Sequence, residues 1–155
     1  MVVRIREVLS RSDKAHFIKL PWKIYRGDRN WVPPLIMERR AFLNPQKNPF
    51  FEHSDVGLFL AMDGSGNEVG RIAGIVNQNH IKTHNEKAGF FGLFECVDDP
   101  DAARRLFETA AEFLRSRGMT IMRGPENMSV NDDMGLLING FDTPPFLMMP
   151  YNPPY

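Results

Sequence analysis

An apolar run followed by an amphipathic segment constrains the fold of this chain most. Residues 89–97 are apolar on both faces of an extended strand, as expected at the centre of a sheet. In residues 103–114, apolar side chains recur at three- and four-residue spacing, which indicates a helix with one buried face. Pro100 suits the first turn of that helix, and Gly118 is a natural end. The chain is therefore predicted to pack one long helix across a central strand.

The rest of the strand pattern predicts a meander around this core. Val3 and Ile5 alternate with arginines and predict a short first strand. Residues 56–62 and 68–77 flank a turn of glycine, serine, aspartate and asparagine, which predicts a β-hairpin. A further strand is predicted over residues 119–122.

Two helices are predicted before the hairpin. Ser12 or Asp13 caps the first, and Pro21 should interrupt it because proline lacks an N–H and clashes with the preceding turn. The second covers residues 35–43. Residues 78–87 predict a polar connection without regular structure.

Residues 123–155 are dense in proline, glycine, asparagine and aromatic side chains, a composition typical of loops with a specified shape. Within them, Asn131 or Asp132 is predicted to cap a short helix that ends at Ile138, and residues 146–149 are predicted to form a strand. The sequence stops inside this loop-rich run. We interpret the chain as one domain that lacks its C-terminal strands.

Composition narrows the function. The 19 Lys and Arg side chains balance the 19 Asp and Glu, which disfavours a dedicated nucleic-acid binder. Cys96 is the single cysteine, so neither an internal disulfide nor a cysteine-rich zinc site is expected, and a reducing cytoplasm is the natural location. No apolar run is long enough for a transmembrane segment.

Six distinctive segments, together with the order of elements, resemble the GNAT acetyltransferases. They are PWKIY at 21–25, WVPPL at 31–35, NPFFEH at 48–53, GFFGLFEC at 89–96, GFDTPP at 140–145 and MMPYNPPY at 148–155. The chain is similar to the N-terminal half of a group of longer bacterial GNAT-like proteins. This resemblance implies an α+β GNAT-like acyl-CoA N-acyltransferase fold, with a mixed, mainly antiparallel sheet and helices on both faces. It also implies acetyl-CoA or acyl-CoA as the cofactor of the full-length protein, and a downstream second GNAT-like half as the partner. Self-association is the alternative, because a truncated sheet would expose strand edges and apolar surface.

One departure from the resembled family bears on cofactor binding. GNAT enzymes hold the coenzyme A pyrophosphate on a glycine-rich loop at the N-terminus of the helix after the central strand, where free N–H groups face the anion. Here the equivalent residues 97–101 read VDDPD, with three carboxylates, no glycine and a proline. We predict that this half does not bind coenzyme A in the usual manner.

Glu95 is the candidate catalytic residue. Strict alternation places it on one face with Phe91, Leu93 and Val97, and places Phe94 on the other. A carboxylate among aromatic rings has a raised pKa and can serve as general base for an amine, and many GNAT enzymes place a glutamate on this strand. The alternative, which is the commoner situation, is a strand-end glutamate that pairs with an arginine or reaches solvent.

A polar cluster after the last internal strand is the candidate substrate site. Its predicted substrate-binding residues are Asn127, Ser129, Asn131, Tyr151 and Asn152, with Asp132 beside them. They are expected to line a cleft at the edge of the sheet. Turn formation and helix capping explain the same residue types equally well.

Other residues favour structural roles. Cys96 is expected to be a buried, unreactive thiol. His80 and His84 have the spacing of two metal ligands on a helix but lack an obvious third, so no metal is predicted. The methionines, including Met134 and Met149, suit a core or an adaptable groove for an acyl chain.

Two functions from different classes remain open at this point. The first is an acyltransferase in which this half supplies acceptor-site residues and a second half holds the donor. The second is a catalytically silent GNAT-like module that binds a partner domain or another copy of itself. A remote third is RNA binding, because residues 87–94 nearly match the aromatic strand of an RNA-recognition motif.

Overall fold

The computed structural model describes residues 2–146, 149 and 151–155. The elements are β1 (Arg4–Glu7), α1 (Arg11–Ile24), α2 (Ile36–Phe42), a 3₁₀ turn (Pro49–Glu52), β2 (Ser54–Met62), β3 (Glu68–Asn77), α3 (Gln78–His84), β4 (Ala88–Cys96), α4 (Pro100–Ser116) and β5 (Ile121–Arg123). One sheet has the order β1-β2-β3-β4-β5, antiparallel except between β4 and β5. The predicted α+β class with a mixed, mainly antiparallel sheet is confirmed.

Helices cover both faces of this sheet. Helix α4 buries Leu106, Phe113 and Leu114 against β2 and β3 on one face. Helix α1 buries Phe17 and Leu20 on the opposite face, and α2 packs at the edge of that second core. The long helix and the central strand therefore pack as the apolar pattern predicts. Within the described residues, no helix has the length and apolarity needed to cross a bilayer.

Helix α1 runs through its proline. Ser10 caps the helix in a reciprocal pair with Asp13, and the helix continues to Ile24 with Pro21 inside it. The predicted interruption at Pro21 is wrong. Burial of the apolar face against the sheet offsets the hydrogen bond that proline cannot make, because Phe17 and Leu20 are 0% and 1% exposed.

Two further predictions of local structure are wrong. Residues 78–84 form α3, which Asn77 caps by accepting from the backbone N–H groups of Asn79 and His80. Because this helix buries no residue, its sequence lacks the periodic apolar residues from which a helix is predicted. Residues 131–138 form turns and one isolated bridge instead of a helix, and Gly135 there has φ of 95°.

The predicted strand over residues 146–149 falls partly on residues 147 and 148, which lie outside the described residues. Phe146 and Met149 are not in a strand. Both belong to the loop-rich C-terminal segment, which contributes Met149 to the lining of the candidate site.

Candidate functional site

A β-bulge in β4 shapes the centre of the site. Arg71 of β3 pairs with Glu95, and Ala73 pairs with Gly92, so one intervening residue of β3 faces two of β4. Leu93 takes the extra position with φ of 50°, in the left-handed region. The bulge changes which side chains share a face beyond it.

The predicted face of Glu95 is therefore wrong in part. Phe91, Phe94 and Val97 pack against the core under α4, whereas Leu93 belongs to the core under α1. Glu95 contacts residues of the α1 face. Strict alternation fails because the bulge inserts one residue between Gly92 and Glu95.

The same packing bears on RNA binding. Phe90 is 4% exposed, and the rings of Phe91 and Phe94 lie 5.0 and 4.7 Å from the ring of Phe107 on α4. RNA-recognition strands need aromatic rings that are free to stack on bases. Phe90 is buried in the core, and Phe91 and Phe94 pack against Phe107 instead of presenting free faces, which disfavours the RNA interpretation.

Glu95 lies in a buried cluster of charged and phenolic groups. The Tyr25 hydroxyl donates a hydrogen bond to Oε2, and Nη2 of Arg71 lies 3.5 Å from Oε1. The side chains of Glu95 and Arg71 are 18% and 9% exposed. Burial raises the pKa of Glu95, and the neighbouring Arg71 and Tyr25 partly oppose this rise. The carboxylate is buried, as the first interpretation from the sequence expects, and it also pairs with an arginine, as the second expects.

Pro21 helps to position Arg71. A proline at position 21 cannot donate to the carbonyl of Phe17 four residues earlier, and that carbonyl accepts a hydrogen bond of 2.8 Å from Nη1 of Arg71. The guanidinium also lies 5.0 Å from the centre of the Phe17 ring. The proline in α1 thus leaves an acceptor free for the arginine that faces Glu95.

Two cavities meet at Glu95. The first has a volume of about 460 Å³, and its polar lining consists of Arg39, Arg71, Glu95, Asn127, Asp133, Tyr151 and Asn152. The second, of about 400 Å³, lies beside the start of α4 and is lined by Tyr25, Asp98, Asp99 and Tyr155, among others. Phe94, Glu95, Leu136 and Asn152 line both cavities. The carboxylate therefore lies in a wall that the two cavities share.

The structure brings four of the six predicted site residues to the first cavity. They are Glu95, Asn127, Tyr151 and Asn152. Ser129 and Asn131 lie outside its lining, in a turn where the Ser129 hydroxyl donates to Asp132 and accepts from the Asn131 N–H. Met134 and Met149 line the cavity, whereas Met128 is fully buried in the core.

Asn127 fixes the bulge. Beyond Phe90, β5 no longer pairs with β4, and the side chain of Asn127 accepts the N–H of Leu93 at 2.7 Å. Gly92 makes this approach possible, because a Cβ there would lie 2.0 Å from the carbonyl oxygen of Glu126. The segment after β5 thus supplies the hydrogen bond that a continuing strand would otherwise make.

The C-terminal segment closes over the cluster through aromatic contacts. The ring of Tyr151 lies 4.9 Å from that of Tyr25, and its hydroxyl donates to Asp28. Burial and the hydrogen bond to Asp28 raise the pKa of Tyr151. Asn152 accepts the N–H of Leu137 at 2.7 Å. Both predicted residues therefore hold the segment in place as well as lining the cavity.

Sequence reasoning missed Tyr25, Arg71 and Arg39. One signal was available for Arg71, which is the single charged residue in the apolar interior of β3. Its partner carbonyl is 54 residues away, and no local pattern joins them. Tyr25 ends α1 and Arg39 lies on α2, and the composition of these helices gives no comparable signal.

The known proteins that are similar to this chain in sequence are longer than it. No protein-family model matches the chain. It is 43% identical over 149 residues to a bacterial ceramide synthase of Caulobacter vibrioides and 37% identical over 151 residues to the protein YghO of Escherichia coli. These alignments cover 96% and 97% of this chain but 38% of each relative. The chain thus spans well under half the length of the curated relatives it matches.

Solved structures resemble this domain in fold. AAC(6')-Iy, in complex with the bisubstrate analogue CoA-S-monomethyl-acetylneamine, has a TM-score of 0.57 at 12% identity, over 81% of this chain and 80% of that one. A GNAT-family acetyltransferase of Staphylococcus aureus has a TM-score of 0.53 at 16% identity, over 82% and 75%. This chain has the GNAT fold.

The start of α4 is capped by one of the aspartates noted in the sequence. Asp99 is the N-cap, and its carboxylate accepts the N–H groups of Asp101 and Ala102 at 2.9 and 3.2 Å. Pro100 has no N–H. The donors that a GNAT-like helix start would offer to a pyrophosphate are thus engaged by a negative side chain of the protein itself.

The surroundings of two other candidates from the sequence, Cys96 and the pair His80 and His84, favour structural roles. Burial and the nearby Asp99 raise the pKa of the Cys96 thiol to about 12, which disfavours the nucleophilic thiolate. The rings of His80 and His84 lie 4.4 Å apart on α3, and Nε2 of His80 is 2.8 Å from Glu86. Among the described residues, no group of three potential ligands could hold a metal ion.

Proposed function

We propose that this chain is the acceptor-binding part of an N-acyltransferase in which Glu95 takes the proton of the attacking amine. The observation that carries the proposal is the placement of this carboxylate in a shared wall between two cavities, mostly buried and with a raised pKa. A base of raised pKa is better matched to the amine it deprotonates. A wall position also allows contact with an acceptor on one side and a donor on the other.

The proposed reaction is direct transfer. The amine nitrogen forms a bond to the carbonyl carbon of an acyl thioester, and Glu95 accepts the proton that the nitrogen loses. The carbon–sulfur bond then breaks, and the proton held by Glu95 passes to the thiolate, so that a thiol leaves and the carboxylate is restored. Tyr25 and Arg71 hold the carboxylate in place by hydrogen bonds before the amine arrives.

The relative from Caulobacter suggests the class of acceptor. A ceramide is the amide of a long-chain amino alcohol and a fatty acid, so its formation from a thioester is an N-acylation. The first cavity suits a long-chain amine because its wall is rich in apolar side chains. They include Trp31, Val32, Phe91, Phe107, Met134 and Leu136.

We propose that the acyl-CoA donor is held mainly by a further part of the protein, or by a partner, because the start of α4 is occupied by Asp99. The length of the relatives supports a downstream second half. Apolar side chains exposed around α2 and the C-terminal segment fit either that half or a second copy of the chain: Leu35, Met37, Ile138 and Phe146. The single cysteine fits a cytoplasmic location.

An acyl-transfer assay tests this proposal. The longest product of the gene and the 155-residue chain are each incubated with long-chain acyl-CoA and a long-chain amino alcohol, and the thiol and the amide are measured. Transfer by the longest product, lost in Glu95→Gln but kept in Glu112→Gln on the exposed face of α4, supports the proposal. Equal activity in Glu95→Gln would remove the catalytic role of Glu95.

The second candidate is a catalytically silent interaction module, which the occupied helix start favours for this chain alone. Light scattering separates the two interpretations of the exposed apolar surface. A dimer of the 155-residue chain supports self-association, and a clean monomer at high concentration contradicts it.

A further inference from the structure

Two arginines line the first cavity with unfilled hydrogen-bonding capacity. Arg39 lies on α2 and Arg71 on β3, and both contribute to the wall of the cavity. The Nε–H of each is buried, and within the described part of the chain no acceptor reaches either one. The side chains are 20% and 9% exposed. A buried charged donor without an acceptor is costly, and the protein itself leaves both guanidiniums incompletely paired.

The protein only partly neutralises these two charges. Arg71 faces the carboxylate of Glu95 at 3.5 Å, whereas Arg39 pairs with Glu38, whose side chain is 57% exposed at the surface. The two guanidiniums are also close enough that the charge of Arg39 adds to burial in lowering the pKa of Arg71. A negative group between them would relieve this repulsion.

Aromatic rings hold both guanidiniums in place. Arg39 lies 4.7 Å from the centre of the Phe42 ring, and Arg71 lies 5.0 Å from that of Phe17. Arg71 is further fixed by its hydrogen bond to the Phe17 carbonyl. Little side-chain freedom therefore remains to be lost when a ligand binds.

We propose that Arg39 and Arg71 bind an anionic oxygen group, a carboxylate or a phosphate, carried on an apolar chain. Guanidinium groups match both anions in geometry, and the apolar wall of the cavity accepts the chain. The inference rests on the proposed function only in taking this cavity as a substrate site. It adds that one substrate carries a negative group besides its apolar chain.

Calorimetric titration of the 155-residue chain tests the site without any need for catalysis. The probes are octyl phosphate, octanoate, inorganic phosphate and uncharged octanol. We expect at least one of the two octyl anions to bind roughly tenfold or more tightly than octanol, since charge-assisted hydrogen bonds are among the strong ones. Tighter binding of octyl phosphate identifies a phosphate source, and tighter binding of octanoate a carboxylate source.

Variants locate the site. Arg39→Gln should weaken binding of the preferred anion by roughly tenfold or more, because one charged partner is lost. Arg40→Gln, an exposed neighbour on the same helix that does not line the cavity, should leave it unchanged. Circular dichroism checks that each variant folds.

Three results would overturn the inference. They are equal affinity for octanol and both octyl anions, binding to Arg39→Gln as tight as to the parent, and inorganic phosphate binding as tightly as octyl phosphate. The first and third use the unchanged chain, so they stand even where a variant fails to fold. Anion binding without acyl transfer would support this site while counting against the proposed function.

Discussion

Replacing Glu95 by glutamine separates its structural from its chemical role. The introduced amide keeps one carbonyl oxygen as an acceptor for Tyr25 or Arg71, but the negative charge opposite Arg71 is lost. Breaking a fully buried ion pair from one side costs about 3–5 kcal/mol. The 18% exposure of Glu95 and the retained oxygen reduce this to about 1–2 kcal/mol. For a chain of this length, the melting temperature should fall by about 2–8 °C.

The effect on catalysis should be far larger than the effect on stability. A general base contributes about 10²–10⁴-fold, so the rate of acyl transfer by Glu95→Gln should fall by that factor at a temperature where the variant is folded. Melting and activity are measured on the same preparation. A variant that is folded and retains more than about one tenth of the parental rate would refute the role of base.

Tyr25→Phe supplies the complementary measurement. The Tyr25 hydroxyl favours the charged form of Glu95, so its removal should raise the pKa of that carboxyl further. The low-pH limb of kcat/KM, where the base becomes deprotonated, should then move to higher pH. A limb at unchanged pH in folded Tyr25→Phe would show that another group titrates there.

Three more outcomes are expected. Titration of the 155-residue chain with acetyl-CoA should give no micromolar binding, and micromolar binding abolished by substitution of Pro100 would contradict this. Gly92→Ala should lower the free energy of unfolding by about 1–3 kcal/mol or prevent folding, because its Cβ would lie 2.0 Å from a backbone oxygen. The control Gly64→Ala places its Cβ 4.0 Å from the nearest backbone oxygen and should be nearly neutral. Denaturant unfolding measures both variants. Hydrogen bonds from Arg123 and His80 lower the pKa of Glu86 to about 2 in the folded protein. The ionised Glu86 therefore contributes its full stabilisation above its pKa in the unfolded chain, about 4.3, and loses that stabilisation as the pH falls toward 2. The difference in melting temperature between the parent and Glu86→Gln should therefore shrink over that pH range.

The fold was predictable where apolar patterns are long. Strand β4 and helix α4 pack as their sequences indicate, because burial of a continuous apolar face dominates local preferences. Helix α3 was not predictable, since it buries no side chain and depends on the cap at Asn77. The helix predicted at residues 131–138 fails for a related reason. The same polar residues that cap helices also form turns, and here Ser129 and Asp132 bond to each other.

The site was predictable only in the residues that stand out within their own segment. Glu95 is a lone carboxylate in an apolar strand, and Tyr151 and Asn152 lie in a distinctive motif. Neither Arg71 nor Pro21 could be assigned a role alone. The proline matters because it frees the carbonyl of Phe17, and the arginine matters because it reaches that carbonyl from another element. Such a relation exists only once α1 packs on β3.

Glu95 also connects the two proposals through charge. It is the carboxylate that faces Arg71 inside the first cavity, so an anionic ligand at the arginine pair must approach against its charge. Glu95→Gln should therefore bind octyl phosphate or octanoate more tightly than the parent, while it loses acyl transfer. One substitution should therefore have opposite effects on the two proposed sites. It removes the base that acts on the amine, and it strengthens binding at the neighbouring anion site. Weaker anion binding by folded Glu95→Gln would mean that the carboxylate orients Arg71 for the ligand rather than competing with it.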